Sequence, residues 1–210
     1  MQGDLLMLGA GGKLGFRLAH MARRALDAAG KSGTRGMAVS RFGHAAAQQP
    51  FEAAGIETIW ADLLANGALE RLPDIGNVVY LVGMKFGSST DMPATWALNP
   101  FLPGLVARRF SDSRIVALST GNVYPLVDIR SGGAVEGDAP GPVGEYALSC
   151  LGRERMFSYY SQTQGTPLTL VRLKVEPGVY AESSMERVWP NRNGNSSMSS
   201  RCSGRRRRVD

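Results

Sequence analysis

The sequence has 210 residues, a net charge of +6 and 43% hydrophobic residues, which suits one domain with a core, or one domain and a tail. No apolar run approaches the roughly 20 residues that cross a bilayer, and the start lacks the basic region of a signal peptide. Cys150 and Cys202 stand alone without Cys-x-x-Cys spacing. Their isolation argues against a metal site or a disulfide scaffold and favours the reducing cytoplasm.

The basic charge is concentrated at the C-terminal end. Residues 182–210 contain seven arginines against three acidic residues, including the run Arg205 to Arg208. The remainder lacks a basic stripe with interleaved aromatic residues, so we do not expect nucleic-acid binding. Residues 181–210 also have few core-forming side chains and no hydrophobic period, so we predict a disordered basic tail.

Short apolar runs alternate with helical segments through most of the chain. In chain order we predict a strand at 4–9, a helix at 13–30, a strand at 36–40, a helix at 44–55, a strand at 56–62, a helix at 63–74, a strand at 77–83, a helix at 92–110, a strand at 113–120, a helix at 144–164 and a strand at 167–175. Pro50 should break or kink the second helix, and Pro100 and Pro103 the fourth. The alternation indicates an α/β protein whose parallel sheet has helices on both faces.

Gly9, Gly12 and Gly15 form a Gly-x-x-Gly-x-x-Gly segment between the first predicted strand and the first helix. Gly9 permits the tight turn, Gly12 lets the backbone approach a pyrophosphate, and Gly15 lets the helix pack closely on the sheet. The free N–H groups at the helix start would face the phosphates. A plain turn is the alternative, but the strand–loop–helix context favours a dinucleotide site that includes Lys13 and Leu14.

The ends of the second and third strands should contact the adenosine half of a dinucleotide. An acidic residue after the second strand would bind the ribose 2′-hydroxyl, whereas an arginine would accommodate a 2′-phosphate. Ser40 and Arg41 lie there, so we expect NADP or NAD with NADP favoured, unless Arg41 is an ordinary surface charge. Asp62, which precedes Leu63 in this predicted site, could hydrogen-bond the adenine amino group or cap the next helix.

Six segments together resemble the NAD-dependent epimerase/dehydratase branch of the extended short-chain dehydrogenase/reductase superfamily. They are GAGGKLG at 9–15, ADL at 61–63, VVYLVG at 78–83, WALNPFLPGLVA around Asn99, RIVALSTGNVY at 114–124 and EYALSCLGRE at 145–154. The resemblance covers about residues 3–173. It implies a Rossmann-like doubly wound domain, which we assign to residues 1–180, ahead of the tail at 181–210.

The resemblance also implies roles for single residues. Ser119 and Thr120 match hydroxyls that polarise the substrate's carbonyl or hydroxyl, and Tyr146 matches the general acid/base that moves its proton. Asn99 matches a residue that supports the active-site helix and a proton-relay water. Gly83 matches a strand end that passes the nicotinamide side of the cofactor. The alternatives are structural: the serine, threonine and asparagine could each serve a turn, and the tyrosine could be a half-buried core residue.

The family's usual lysine is absent four residues after the tyrosine. That lysine favours the phenolate and binds the nicotinamide ribose, whereas Cys150, which holds the position here, supplies no positive charge as a neutral thiol. A thiol nucleophile is disfavoured because no histidine is close in sequence. We therefore expect cofactor binding with weakened or absent turnover. Arg153, on the same helix face as Tyr146, or Arg155 could substitute electrostatically.

In this family a smaller C-terminal lobe, after the sixth strand, holds most of the substrate. Arg172 matches the start of its usual R-x-x-N-x-Y-G-P segment, but the rest does not appear in register. We expect that the lobe is largely missing. Either the tail is a genuine extension whose arginine run binds anionic partners, or the reading frame shifted near residue 174 and left a truncated enzyme. The abrupt change in composition favours the frameshift.

Two functions follow from these residues and this resemblance. The first is an NAD(P)-binding, epimerase/dehydratase-like oxidoreductase that acts on a nucleotide sugar or a similar hydroxyl or carbonyl compound. The second is a non-catalytic dinucleotide-binding or sensor module. The expected partners are the cofactor, a small-molecule substrate and, since such proteins often pair through the helices after the fourth and fifth strands, a second copy in a homodimer. No membrane partner is expected.

Overall fold

The computed structural model of the protein describes residues 3–85 and 87–173. Its strands are β1 (Leu5–Leu8), β2 (Gly36–Ser40), β3 (Glu57–Trp60), β4 (Asn77–Tyr80), β5 (Arg114–Thr120) and β6 (Leu168–Leu173). Its helices are α1 (Lys13–Ala28), α2 (Gln49–Ala53), α3 (Met92–Trp96), α4 (Leu102–Arg109) and α5 (Glu145–Gln164). The predicted tail at 181–210 lies outside the described residues, as do the last two residues of the sixth predicted strand.

The strands of the described chain form one parallel sheet in the order β3-β2-β1-β4-β5-β6. The chain moves outward from β1 to β3 and then crosses back to β4, which pairs with the other side of β1. The sheet is therefore doubly wound, and the predicted α/β, Rossmann-like class is confirmed. Because all the strands are parallel, their carboxyl ends meet at one edge, where ligands of such sheets bind at the reversal point.

Helices cover both faces of the sheet, and this explains why every residue of β1 is apolar. Leu6 and Leu8 belong to a buried cluster that also contains side chains of α4 and α5. Leu5 and Met7 point the other way, into a second cluster with side chains of α1 and α2. Since successive strand residues face opposite sides, a central strand buried on both faces needs four apolar residues in a row.

The turn from β1 into α1 is formed by glycines that have no space for a side chain. Gly9 has a φ of +84°, and a Cβ there would lie 2.7 Å from the backbone nitrogen of Val82. A Cβ at Gly15 would overlap the carbonyl group of Ala10. The first turn of α1 therefore packs directly on the turn that precedes it, which aims the helix N-terminus at the carboxyl edge of the sheet.

Residues 63–74, predicted to be a short helix, instead form a series of turns. The prediction was wrong because Gly67 adopts a left-handed conformation with a φ of +69°, which interrupts a helix. Leu63, Leu69 and Leu72 are nevertheless buried in the same cluster as α4 and α5. Packing of these leucines, rather than a helical hydrogen-bond ladder, fixes the segment on the sheet.

The prolines interrupt helices near the predicted places. Pro50 lies in the first turn of α2, which follows a separate 3-10 turn. Between α3 and α4 the chain forms a π-helical segment, Ala97–Phe101, that contains Pro100, and Pro103 lies in the first turn of α4. Because proline lacks an N–H and crowds the preceding turn, it fits at a helix start or in a wider π turn.

Gly15→Ala should destabilise the fold, since the added methyl group would overlap the Ala10 carbonyl. We expect the free energy of unfolding to fall by about 1–3 kcal/mol, as for other overpacked sites, in a urea titration followed by circular dichroism. Gly33→Ala is the matched control, because a Cβ there has no atom within 4 Å and the residue is not in a left-handed conformation. Equal stability of the two variants would contradict this interpretation of the turn.

Candidate active site

A cavity of about 200 Å³ lies at the carboxyl edge of the sheet, where β1 and β4 are neighbours. It is bordered by the β1–α1 turn, the segment after β4, the ends of β5 and β6, and α5. Seven predicted site residues line it: Gly9, Gly12, Leu14, Gly15, Gly83, Ser119 and Tyr146. The lining also includes Arg153, which the sequence offered as a substitute for the missing lysine, and four residues that were not predicted: Leu81, Lys85, Leu118 and Leu173.

A larger hollow of about 630 Å³ is lined by residues of β1, β4 and β5 and by the start of β6. Its lining contains no carboxylate, histidine or cysteine and none of the predicted site residues. The side chains that could carry acid/base chemistry therefore line the smaller cavity. The larger hollow is lined mainly by strand residues and is not a candidate active site.

The start of α1 provides free backbone N–H groups beside the cavity. Gly12 is the N-cap, in extended conformation, and no side chain caps the helix there. Lys13 is the first residue of the helix, and Leu14 is 45% exposed on its first turn. An uncapped helix N-terminus combines unpaired donors with the positive end of the helix dipole. This arrangement suits the phosphates of a ligand.

The predicted adenosine-side residues lie at the ends of β2 and β3. Ser40 ends β2, and its hydroxyl lies so close to Gly11 that a Cβ there would overlap it, while the next residue, Arg41, is exposed. Asp62 accepts a hydrogen bond from the Leu64 backbone nitrogen at 3.1 Å. It therefore stabilises a turn and not a helix, although its remaining carboxylate lone pairs can still accept bonds. The Leu63 side chain is buried in the core.

Tyr146 lies in the first turn of α5, immediately after Gly144 with its φ of +84° and Glu145. Burial is the main cause that raises the pKa of Tyr146 above its ordinary value of 10, and nearby Cys150 raises it further. A hydrogen bond with the Thr120 hydroxyl and the charge of Arg153 act in the opposite direction. The phenol is therefore neutral at neutral pH and can donate its proton, while its use as a base requires stabilisation of the phenolate.

Ser119 and Thr120 end β5 but have different partners. The Ser119 hydroxyl donates to the buried Glu154 carboxylate at 2.6 Å, and Arg172 holds the same carboxylate with contacts of 2.8 and 3.0 Å. The Thr120 hydroxyl accepts from the Asn122 backbone nitrogen at 3.2 Å and donates to the Asn122 side-chain oxygen at 3.3 Å. The proton of Ser119 is thus committed to an internal ion pair, whereas the Thr120 hydroxyl bonds Asn122 within its own turn.

Asn99 joins three elements around the cavity from a fully buried position in the π-helical segment. Its amide exchanges two hydrogen bonds with the Met84 backbone, at 2.8 and 3.0 Å. It also donates to the Ser149 hydroxyl at 2.8 Å and accepts from Arg153 at 2.8 Å. The segment after β4 and helix α5 are consequently held together through one side chain.

Cys150 is completely buried and lies one turn after Tyr146 on α5. Burial is the main cause that raises the pKa of its thiol, against the lowering effect of Arg153. The thiol is therefore neutral at neutral pH. The position four residues after Tyr146 on α5 therefore carries no charge.

Arg153 is the buried cation at the cavity. Its guanidinium donates to the Leu118 carbonyl at 2.9 Å and to Asn99 at 2.8 Å. A Cβ at Gly83 would overlap this guanidinium, so the glycine after β4 leaves room for it. Its spacing of seven residues from Tyr146 marks the shared helix face in the sequence. The ammonium of Lys85 lies 5.9 Å from the centre of the Tyr146 ring, but no spacing or motif in the sequence indicates this contact.

Solved structures are the known proteins that this chain resembles. No family model matches the chain, and no curated protein matches it. Among solved structures, the UDP-glucuronic acid 4-epimerase of Bacillus cereus, in complex with UDP-glucuronic acid and NAD, is 19% identical with a TM-score of 0.66. The dTDP-glucose 4,6-dehydratase of Streptomyces venezuelae, with NAD and TYD bound, is 23% identical with a TM-score of 0.68. The chain has their fold.

These matches cover 80% of this chain and 55% of each of the two enzymes, so the chain spans about half of their length. A short-chain dehydrogenase/reductase superfamily protein from Agrobacterium tumefaciens with bound NAD is 19% identical, with a TM-score of 0.65 and 48% of its length covered. All three are NAD complexes, and two are nucleotide-sugar enzymes of the kind that the sequence motifs resemble. The resemblance to this group is confirmed at the level of the fold.

Residues 3–85 and 87–173 contain neither a cluster of metal-ligating side chains nor a membrane-spanning helix. Three or more histidine, cysteine, aspartate or glutamate side chains do not cluster in this part of the chain as metal ligands would. Within the same residues, every helix is too short or too polar to traverse a bilayer.

Ser119→Ala should lower the free energy of unfolding by about 1.5 kcal/mol or more, because it removes a buried hydrogen bond to a carboxylate. Ser89→Ala, at an exposed turn position, is the control and should change stability by less than about 0.5 kcal/mol. Chemical unfolding of both variants measures the difference. If Ser119→Ala leaves stability unchanged, the Ser119–Glu154–Arg172 cluster does not stabilise the fold.

Proposed function

We propose that the protein is an NAD(P)-dependent oxidoreductase of the epimerase/dehydratase type that acts on a nucleotide sugar or a similar hydroxyl or carbonyl compound. The observation that supports this most is the shared cavity, since the glycine turn at the start of α1 and the Tyr146 phenol line one space. The glycine turn would then contact the phosphates of the cofactor, while Tyr146 would contact the substrate bound beside it.

The residues present fit a dinucleotide. Gly9, Gly15 and Gly83 each lie where a Cβ would overlap neighbouring atoms, so the backbone is packed as tightly as a cradle requires. Gly12 and the uncapped start of α1 would hold the pyrophosphate, assisted by Lys13 and Leu14. Ser40, Arg41, Asp62 and Leu63 would lie along the adenosine half, and the exposed Arg41 supports a preference for NADP over NAD.

A bound nicotinamide would supply hydride transfer at this site, while the residues of the protein would control the proton. Tyr146 takes the proton from the substrate hydroxyl or gives it to the carbonyl. Thr120, whose hydroxyl lowers the pKa of Tyr146, would orient the same oxygen. Ser119 would join it once its hydroxyl turns away from Glu154, and Asn99 would hold α5 in place. Because the pKa of Tyr146 is raised, proton removal is the harder direction, and oxidation should become faster as the pH rises towards that pKa.

The neutral Cys150 supports a weakened version of this activity. Without a cation at position 150, the phenolate is less favoured than in an enzyme with the usual lysine. A non-catalytic dinucleotide-binding module is therefore the second candidate. Four further proposals rest on the sequence. They are substrate recognition by residues 3–173, a homodimer, a cytoplasmic location, and the division into a domain at 1–180 and a tail at 181–210.

Cofactor binding can be measured by titrating the protein with NADPH and NADH and following the cofactor's fluorescence. We expect both to bind, NADPH more tightly, and Arg41→Ala to remove the difference. Gly12→Ala should weaken binding about tenfold or more, equal to about 1.4 kcal/mol, since its methyl group would occupy the phosphate approach. Gly33→Ala, with no neighbour within 4 Å, is the matched control. Absence of binding to either cofactor would refute the proposal.

Turnover can be measured with UDP-glucose, UDP-glucuronic acid and dTDP-glucose, using nicotinamide absorbance and NMR of the sugar products. We expect slow conversion that Tyr146→Phe lowers by about 10²-fold or more, as for loss of a general acid/base. Tyr159→Phe, on an exposed part of the same helix, should have no effect. Cys150→Lys should increase the rate and move its pH optimum downward.

The results of these variants separate the two candidate functions. Cofactor binding without turnover, even in Cys150→Lys, would favour the binding module. Ordinary rates in the natural protein, with no gain in Cys150→Lys, would show that the cysteine does not impair catalysis.

A further inference from the structure

Arg153 is a buried charge that the described residues do not neutralise. Its side chain belongs to a residue that is 6% exposed, and its hydrogen-bond acceptors are the neutral Leu118 carbonyl and the Asn99 amide oxygen. The adjacent Glu154 carboxylate is instead paired with Arg172 at 2.8 Å. A buried cation without a carboxylate partner is costly, so an anionic group that comes close to it would be strongly favoured.

One donor of this guanidinium is also unused. Within the described residues, the Arg153 Nε is a buried polar atom that has no hydrogen-bond partner. Buried donors are nearly always paired in folded proteins, and an exception often marks a functional position. The residue lines the cavity with Tyr146, so the unmatched charge and the unmatched donor belong to the same site.

The surrounding residues are arranged to keep the guanidinium at this place. Gly83 provides the space, since any side chain there would overlap the Arg153 guanidinium. The Tyr80 ring lies with its centre 5.8 Å from the guanidinium carbon, and Asn99 fixes one of the terminal nitrogens. A buried charge held from three sides is preorganised, and its electrostatic effect is larger than that of a mobile surface group.

The other charged and titratable groups near Tyr146 are less suited to this role. Arg155 is exposed and does not line the cavity. Lys85 is exposed, on the segment after β4, and faces the ring of the tyrosine. Cys150 is a neutral thiol on the same helix, and Glu145 bonds the Trp96 indole at 2.8 Å.

We propose that Arg153 is the positioning cation of this site: its guanidinium stabilises the phenolate form of Tyr146 from a position seven residues along α5, where Cys150 supplies no charge. The proposal deepens the proposed function and rests on it. The phenol gives its proton to solvent, or to the carbonyl oxygen of the substrate as that carbonyl is reduced, and the phenolate takes a proton from the substrate hydroxyl as that hydroxyl is oxidised. Arg153 acts only by its charge.

The test is a direct titration of Tyr146 in the full-length protein without cofactor or substrate. Tyrosines labelled with ¹³C at Cζ are followed by NMR against pH, and Tyr146→Phe identifies the resonance among the six tyrosines of the chain. Arg153→Met should raise the Tyr146 pKa by about one unit or more. Arg155→Met, two residues along the same helix, is the matched control and should leave it unchanged.

Two more variants separate charge from structure. Arg153→Lys keeps the charge but not the full set of hydrogen bonds, so it should lower thermal stability while the Tyr146 pKa stays close to that of the natural protein. In Arg153→Met/Cys150→Lys, a charge restored at the other helix position should bring the pKa back. Arg153→Gln, which retains hydrogen-bond donors, replaces Arg153→Met if the latter does not fold.

A purely structural Arg153 would give a different pattern. Its neutral variants would lose stability and would move the Tyr146 pKa no more than Arg155→Met does, which would overturn the proposal. Because the titration needs neither cofactor nor substrate, this failure is distinct from failure of the proposed oxidoreductase function, which would appear as absent cofactor binding.

Discussion

The contact between α1 and the turn that precedes it is the constraint on which the site depends. Gly15 packs against the Ala10 carbonyl without space for a Cβ, and Gly9 turns the chain in a left-handed conformation against Val82. These contacts place the helix N-terminus directly above the carboxyl end of β1. Because β4 pairs with β1, the segment after β4 borders the same space, and the cavity forms where the two halves of the sheet meet.

A second layer of polar contacts then fixes the side of the cavity that Tyr146 lines. Asn99 bonds Met84, Ser149 and Arg153, and Arg153 continues the network to Leu118 on β5. Buried networks of this kind are strong in a medium of low dielectric constant, and they specify one arrangement of the elements that they join. Helix α5, which carries the tyrosine, is thereby positioned by polar contacts as well as by its apolar packing.

The success and failure of the sequence predictions have separate physical causes. Alternating apolar runs located the strands within a few residues because burial on both faces of a parallel sheet imposes that pattern. The helix predicted at 63–74 failed because one left-handed glycine, Gly67, outweighs the periodic leucines around it. Ser119 and Thr120 are neighbouring hydroxyl residues that the sequence alone does not distinguish. Their different hydrogen bonds depend on Glu154, which is 35 residues away and which no local pattern connects to Ser119.

The sequence by itself determined the doubly wound α/β class, the glycine turn between β1 and α1 and the absence of a lysine at position 150, since these depend on local periodicity and residue type. Only the tertiary structure decided which arginine of α5 reaches the cavity and how its charge is held. Arg153 and Arg155 differ by two positions on one helix. One becomes a buried charge because Gly83 and Asn99, from distant parts of the chain, make room for it and bond it.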